Sequence, residues 1–334
     1  KYDDLPGLIV NITGVDGGSG PNGNIQPGDT LAVHFTLKDK AGGVISQTSI
    51  GPGNTGILVS GPTTGLQRVL ARQSDLRTRA TANADGSYTY RFAAPMPATY
   101  LPPENDSPLL DGGERTGQPL EAGTYTVGMF VNKRYTIEGA QHLDIGSATF
   151  NFLVGTATML AQREQVVTDA NCAQCHTELR LHGGSRKGTQ LCILCHTVGA
   201  EDQNIPTVGG GTPGFTIEFQ VLIHKLHNAA HLPAVAGVSV LPSGIRDYTA
   251  SPKPLLIAAF GDVDDESGIT YPVNPSMTWA PTYDQAGTTY QGAAGNGPMP
   301  RDIGWSVLTP AAKLKEDTIR TGEVACDKCH GDPD

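Results

Sequence analysis

Residues 172–196 read CAQCHTELRLHGGSRKGTQLCILCH, and this stretch decides how the second half of the chain is built. It holds two copies of C-x-x-C-H, Cys172 to His176 and Cys192 to His196; a third copy stands at Cys326 to His330. Two thiols separated by two residues can each add to one vinyl group of a porphyrin. The histidine that follows then lies beneath the iron as an axial ligand. The pattern assigns Cys172, Cys175, Cys192, Cys195, Cys326 and Cys329 to covalent attachment of three c-type haems, with His176, His196 and His330 as proximal ligands. All six cysteines are thereby used, so none remains for a disulfide or a nucleophile.

The first two pairs also satisfy a zinc-ribbon spacing, because sixteen residues separate Cys175 from Cys192. Two features count against zinc. A histidine follows every pair, which a four-cysteine zinc site does not need, and the third pair has no partner pair.

Each haem iron has a second axial position. Outside the motifs the histidines are His34, His142, His182, His224, His227 and His231. With only five methionines in the chain, histidine on both faces is the expected ligation, which gives lower potentials than a Met/His pair. Thr216 to Leu232 is predicted to be helical. There His224, His227 and His231 fall at i, i+3 and i+7 on one stripe, opposite Phe219, Leu222, Leu226 and Ala229. In isolation such a stripe reads as a solvated face, or as a zinc pair at His227 and His231; beside three haems it reads as a set of distal ligands. His182 precedes Gly183-Gly184, which predicts the end of a short helix and a ring turned toward a cofactor. His34 and His142 fall on predicted strands and are assigned structural roles.

Outward from this stretch the composition changes. Residues 1–155 hold no cysteine and read as a mostly β domain, a Greek-key barrel or a sandwich. Leu31 to Leu37, Ser87 to Phe92, Gly123 to Asn132 and Ser147 to Val154 are the predicted strands, punctuated by Gly17-Gly18, Pro27-Gly28 and Asp85-Gly86. Residues 156–334 are predicted to form a loop-rich, part-helical trihaem cytochrome domain, with a helix from Pro310 to Thr321. Glycine (42) and proline (24) make up about a fifth of the chain, short of the range of disordered sequence. The fold should therefore be compact but rich in turns.

The formal net charge of -10 argues against nucleic acid and anionic lipid as partners. No apolar run reaches the length of a membrane-spanning helix; Leu255 to Phe260 is among the longest. Because c-type haem is attached outside the cytoplasm, the chain is expected to be a mature form exported through the periplasm, its signal removed. Asp262, Asp264, Asp265 and Glu266 could hold calcium, but a solvated acidic loop is the preferred reading.

Residues 151 to 231 resemble the start of the haem domain of the OmcA/MtrC family of outer-surface multihaem cytochromes. The resemblance is carried by an ordered set: Asn151-Phe152, Val166-Val167-Thr168 leading into the Cys172 motif, Leu181-His182-Gly183-Gly184, the Cys192 motif, and Ile223-His224-Lys225-Leu226-His227. It implies an N-terminal β-barrel or sandwich, a place on the outer cell surface, and distal haem ligation by His182, His224 and His227. The chain also departs from the family. Members commonly carry ten haems, and this chain has motifs for three. Gly261 to Pro275 resembles a family stretch that precedes a further motif, but Ser276-Met277-Thr278-Trp279 stands where cysteines would be. The porin partnership of the decahaem members is accordingly not carried over.

The expected function is electron relay to a redox partner protein or an extracellular acceptor. The third haem is expected near a molecular edge as a port, with His231 as its distal ligand from the same chain or a neighbour. A homo-oligomer or homopolymer with haem three of one copy beside haem one of the next would make a continuous wire. Two other classes compete: a terminal reductase with one five-coordinate haem, and a surface-binding module whose β domain does the work. No carboxylate pair, triad or phosphate loop raises either above the relay.

Overall fold

The computed structural model describes residues 5–106, 114–163, 165, 167–173, 178–182, 184–203, 211–220, 222–223, 289–291 and 298–300. These fall into two compact units. One holds the described residues within Lys1–Pro102 and Arg115–Thr197, the other those within Pro103–Glu114 and Val198–Cys326.

The first unit contains strands β1 (Ile9–Asp16), β2 (Ala32–Lys38), β3 (Gly56–Gly61) and β4 (Gln67–Gln73). A single helical turn, α1 (Leu76–Arg79), then leads to β5 (Thr81–Ala82), β6 (Tyr88–Arg91), β7 (Gly123–Ile137) and β8 (Ala140–Val154). One sheet has the order β1-β2-β6-β5 and the other β4-β3-β7-β8, with every neighbouring pair antiparallel. The chain changes sheet after β2, β4 and β6, which sets β2 beside β6 in one sheet and β3 beside β7 in the other. The two sheets remain separate, so of the two expected architectures the sandwich is the one adopted.

Side-chain alternation along β7 explains the packing. Tyr125, Val127, Met129 and Val131 point inward and join Val33, Phe35 and Leu37 of β2 and Tyr88 and Tyr90 of β6 in one core. The buried phenols are all satisfied: Tyr125 donates to the carbonyl of Glu121 at 2.9 Å and lies 2.9 Å from the hydroxyl of Tyr100, and Tyr90 donates to Asp75 Oδ1 at 2.6 Å. The long β7–β8 hairpin closes through Glu138 (φ 51°) and Gly139 (φ 81°), the paired positive φ that a two-residue type I′ turn demands.

These tyrosines set an alkaline limit on stability. Burial is the main cause that pushes up the phenols of Tyr90, Tyr125 and Tyr135, the last to about 12; the neighbours Asp75, Tyr100 and Asp144 respectively add to it. An unfolded tyrosine ionises near about 10. With the folded pKa raised above it, the stabilisation is complete below the unfolded value and is lost as pH rises from there through the folded one. The melting temperature, followed by far-UV circular dichroism, should start to fall near pH 10, and Tyr125→Phe should make the fall shallower. A melting temperature level to pH 12 would contradict this.

The four predicted strands lie within or across β2, β6, β7 and β8. Strands β1, β3, β4 and β5 fall outside the four predicted segments. In the second unit β11 (Glu201–Gln203) pairs with β12 (Gly211–Thr216), and β13 (Thr289–Gln291) with β14 (Pro298–Pro300). No helix among the described residues is long and apolar enough to cross a membrane.

Candidate haem-binding site

The outward-facing side of the β4-β3-β7-β8 sheet is also buried. Outward positions Thr124, Thr126 and Phe130 of β7 and Leu58 and Ser60 of β3 are all closed to solvent. Part of the cover is the segment after β8: the amide of Ala161 donates to Thr124 Oγ1 at 2.8 Å and its carbonyl accepts from Thr63 Oγ1 at 2.6 Å. The rest is the second C-x-x-C-H motif.

That motif forms α3 (Thr189–Cys192) and the turn that continues it. The amide of Cys195 donates to the carbonyl of Cys192 at 3.2 Å, and that of His196 to the same carbonyl at 3.0 Å. Helical winding puts Cys192, Cys195 and His196 at i, i+3 and i+4 on one side, and Leu191 and Leu194 on another. The two leucines pack with Leu58, Leu66 and Phe130 in a second apolar cluster, separate from the core between the sheets. Burying each contributes about 1.5–3 kcal/mol. Gly128 makes the fit possible, since a Cβ there would stand 2.4 Å from Leu194 Cδ1 and 2.9 Å from Leu191 Cδ1. Ser60 Oγ adds a buried hydrogen bond of 2.7 Å to the carbonyl of Leu194. The turn that carries Cys192, Cys195 and His196 is thus held from behind by the sandwich.

The start of α3 is tied to the first motif. Thr168 caps α2 (Asp169–Cys172) by accepting from the amide of Asn171 at 3.2 Å. Asp169, the first residue of α2, accepts the amide of Thr189 at 2.7 Å. Gly188, at φ 90°, lets the chain turn into α3.

Between the motifs, β9 (Arg180–Leu181) and β10 (Arg186–Lys187) form a small hairpin that carries His182 in its turn. The expectation was a helix end. Instead His182 takes φ 53° and Gly184 φ 77°, and Ser185 closes the turn by donating its amide to Leu181 and its hydroxyl to the carbonyl of His182. The positive-φ requirement was readable in the glycines; the strand pairing on either side was not. Arg180 fixes the hairpin to β8. Its nearly buried guanidinium reaches the carbonyl of Leu143 at 3.2 Å, Asp144 Oδ1 at 3.4 Å and Glu178, which also accepts from Lys187 Nζ at 2.7 Å. Burial by itself would raise Glu178, but hydrogen bonds from Lys187 and Arg180 outweigh it and hold the carboxyl below its usual range.

The hairpin brings the ring of His182 to 5.8 Å from the ring of His196, centre to centre, with the planes at 42°. Metal–imidazole bonds of about 2 Å on either side of one metal would set two ring centres roughly 6 Å apart. The residue His182 keeps solvent access. Even so, desolvation by the chain around its ring, then the charges of Arg186, His196 and Arg72, hold its imidazole well below the ordinary histidine value. Among the described residues, Cys172, Cys192 and Cys195 form no disulfide. Burial, followed by Asp169, raises Cys172 and pushes Cys192 up to about 12. An open cleft of about 580 Å³ lies beside both motif helices, lined by Ala148, Asp169, Ala173, Lys187, Gln190 and Leu191 among others, a size usual for ligand pockets. The donor set and its spacing fit a covalently held haem.

Of the remaining predicted site residues, Cys175 and His176 of the first motif, Cys326, Cys329 and His330 of the third, and His224, His227 and His231 lie outside the described residues. The helix expected over 216–232 is described only at its start: β12 ends at Thr216, and the amide of Leu222 donates to the carbonyl of Glu218 at 2.8 Å. The acidic run 262–266 and the helix expected over 310–321 also lie outside. His34 has the structural role expected of it, with Nε2 2.6 Å from Asp16 Oδ2 and Nδ1 3.1 Å from Thr89 Oγ1.

Residues 164–253 match a family model described as outer membrane cytochrome MtrC/MtrF-like, domains II/IV. Among solved structures, the outer membrane decaheme cytochrome OmcA is matched over 71% of this chain and 35% of its own, at 17% identity and a TM-score of 0.41. MtrC from Shewanella baltica OS185 is matched over 67% of this chain and 33% of its own, at 16% identity and a TM-score of 0.41. The chain spans about a third of the length of these two structures. No curated protein matches it.

Proposed function

We propose that this chain, whose residues 164–253 match the outer membrane cytochrome MtrC/MtrF-like family model, is a trihaem c-type cytochrome of the outer cell surface that relays electrons. Its partners in this reading are redox proteins or extracellular acceptors. The observation that carries the reading is the His182–His196 ring pair, with Cys192 and Cys195 on the same helical turn as His196.

In this assignment Cys192 and Cys195 hold the second haem, His196 is its proximal ligand and His182 its distal one. Cys172 and Cys175, with His176, hold the first haem, and Cys326 and Cys329, with His330, the third. His224, His227 and His231 supply the other distal imidazoles. When bound, the haems supply reversible one-electron exchange. Histidine on both faces leaves no coordination position open for a substrate, so the task of the residues is to hold and tune. Leu191, Leu194 and Ser60 fix the second motif to a rigid sheet, and Arg180 fixes the hairpin of His182 to the same sheet. The two axial side chains are thereby positioned from one foundation, which is the preorganisation a relay needs. Residues 1–155 serve as the β support and 156–334 as the haem domain. A homo-oligomer or homopolymer that joins the third haem of one copy to the first of the next would lengthen the path.

The test is the intact mass of the purified chain together with its reduced optical spectrum. Three covalent haems with a purely low-spin spectrum are expected. A colourless product with the mass of the bare polypeptide would end this reading.

A further inference from the structure

The helices that open the first two haem motifs are built alike. Helix α2 runs Asp169–Cys172 and α3 runs Thr189–Cys192, so each is about one turn long and ends on the first cysteine of its motif. Their starts differ. Thr168 caps α2 with its own side chain, whereas the residue in the same place before α3 is Gly188, which has no side chain to give. Its φ of 90° favours glycine there. The missing cap comes from the other motif: Asp169 Oδ1 accepts the amide of Thr189 at 2.7 Å. A Cβ built on Gly188 would stand 3.5 Å from Asp169 Oδ2, so the carboxylate lies against the turn that opens α3.

Leu191, Leu194 and Ser60 hold α3 to the sheet, and Asp169 passes that anchorage on to α2. The same bond closes the loop between positions 169 and 189, which carries the β9–β10 hairpin. Asp169 stands three residues before Cys172, and Thr189 three before Cys192. At a rise of about 1.5 Å per residue, the first cysteine of each motif lies roughly 4.5 Å along its helix from the bond. Both attachment turns are therefore referred to one hydrogen bond. Asp169 is otherwise open to solvent, so it makes this bond without being part of the packed core.

We propose that Asp169 is a positioning residue: through Thr189 it holds the first and second attachment turns at one spacing, and so sets how strongly the first two haems interact. The inference rests on the function proposed above. It gives a side chain outside the C-x-x-C-H pattern the task of keeping two neighbouring centres in register, which Leu191, Leu194 and Ser60 perform for the second motif alone. Electron exchange between two centres falls steeply with their separation, so a joint that fixes the separation fixes the rate.

The test is circular dichroism in the Soret region on the full haem-loaded chain, where two porphyrins held at a fixed short separation give a paired positive and negative band. Asp169→Ala removes the acceptor. Thr189→Pro removes the donor, at a first helical position that suits proline. Each should lose most of the paired band while the haem count and the low-spin absorption stay unchanged. The double variant should lose no more than either alone, because both remove the same bond. Asp169→Asn keeps an oxygen for the Thr189 amide and should retain the band. As a control, Asp85→Asn removes an exposed acid from the turn between β5 and β6, on the other sheet, and should change nothing. If Thr189→Pro fails to load haem, the two Asp169 variants carry the test, since that side chain is at the surface. Equal loss of the band in Asp169→Ala and Asp169→Asn would make charge the cause and overturn the inference. Fewer haems in Asp169→Ala than in Asp169→Asn would make the residue a determinant of attachment instead of spacing, which also overturns it. A loaded, low-spin Asp169→Ala protein with the wild-type band, or a loaded wild type with no paired band, would overturn the assignment and leave the cytochrome reading intact. A wild-type chain without haem would remove both.

Discussion

Phe130→Ala is expected to lower the stability of the unit by about 3–5 kcal/mol and, in the same variant, to loosen the second haem. The ring is fully buried and is shared by two neighbourhoods. It is the largest member of the cluster formed with Leu58, Leu66, Leu191 and Leu194, and it supports the guanidinium of Arg186. Removing it leaves the two leucines of the C-x-x-C-H turn facing a void where they now have close contact. For a unit of this size each 1 kcal/mol corresponds to about 2–4 °C in melting temperature. A comparison within the same strand separates the two effects. Met129→Ala removes a fully buried side chain from the inner face, at about 2–5 kcal/mol, and touches only the core between the sheets. Both variants should melt early by circular dichroism. Only Phe130→Ala should also show part of its haem absorption turning high-spin before the sheet melts. If the two variants lose low-spin absorption at the same temperature as their secondary structure, the outer face of β7 is not the support of the site.

The parts of this molecule that could be read from its sequence are those where one short segment answers to one local rule. The C-x-x-C-H motifs are legible because thioether chemistry dictates their spacing within five residues. Strands β2, β6, β7 and β8 are legible because their inner faces alternate with other residues in the period of two. The strand β3 escaped because Gly56–Gly61 is buried on both faces, so its alternation is erased by Leu58 and Ser60, which face the haem motif. In β1 the pattern is blurred by Ile9, half exposed beside the buried Val10. The supports of the site were illegible for a different reason. Ser60 meets the carbonyl of Leu194 across 134 residues of sequence, and Gly128 meets Leu191 and Leu194 from a strand that precedes the motif by a whole hairpin. One hint was available: Phe130 follows Thr124, Thr126 and Gly128 on the outward side of β7, and a phenylalanine there needs something to cover it.

His182→Gly should convert one centre of the loaded chain from six- to five-coordinate while the others remain low-spin. Glycine is the informative replacement. His182 lies at φ 53°, where a β-carbon is disfavoured and glycine is at ease, so the turn between β9 and β10 should survive the loss of the ring. Alanine would combine lost ligation with backbone strain and leave the cause of any change ambiguous. The hairpin itself is held by Arg180 through Leu143 and Asp144, none of which is altered. In the optical spectrum a high-spin band should appear at the expense of part of the low-spin absorption, and added imidazole should restore the original form. His182→Met provides the complementary reading: a thioether in place of the imidazole should keep the centre low-spin and raise its midpoint potential, since Met/His ligation lies above bis-histidine. A fully low-spin His182→Gly protein with unchanged midpoints would show that the approach of His182 to His196 is a contact between neighbouring rings, and the distal ligand of the second haem would then have to come from elsewhere in the chain.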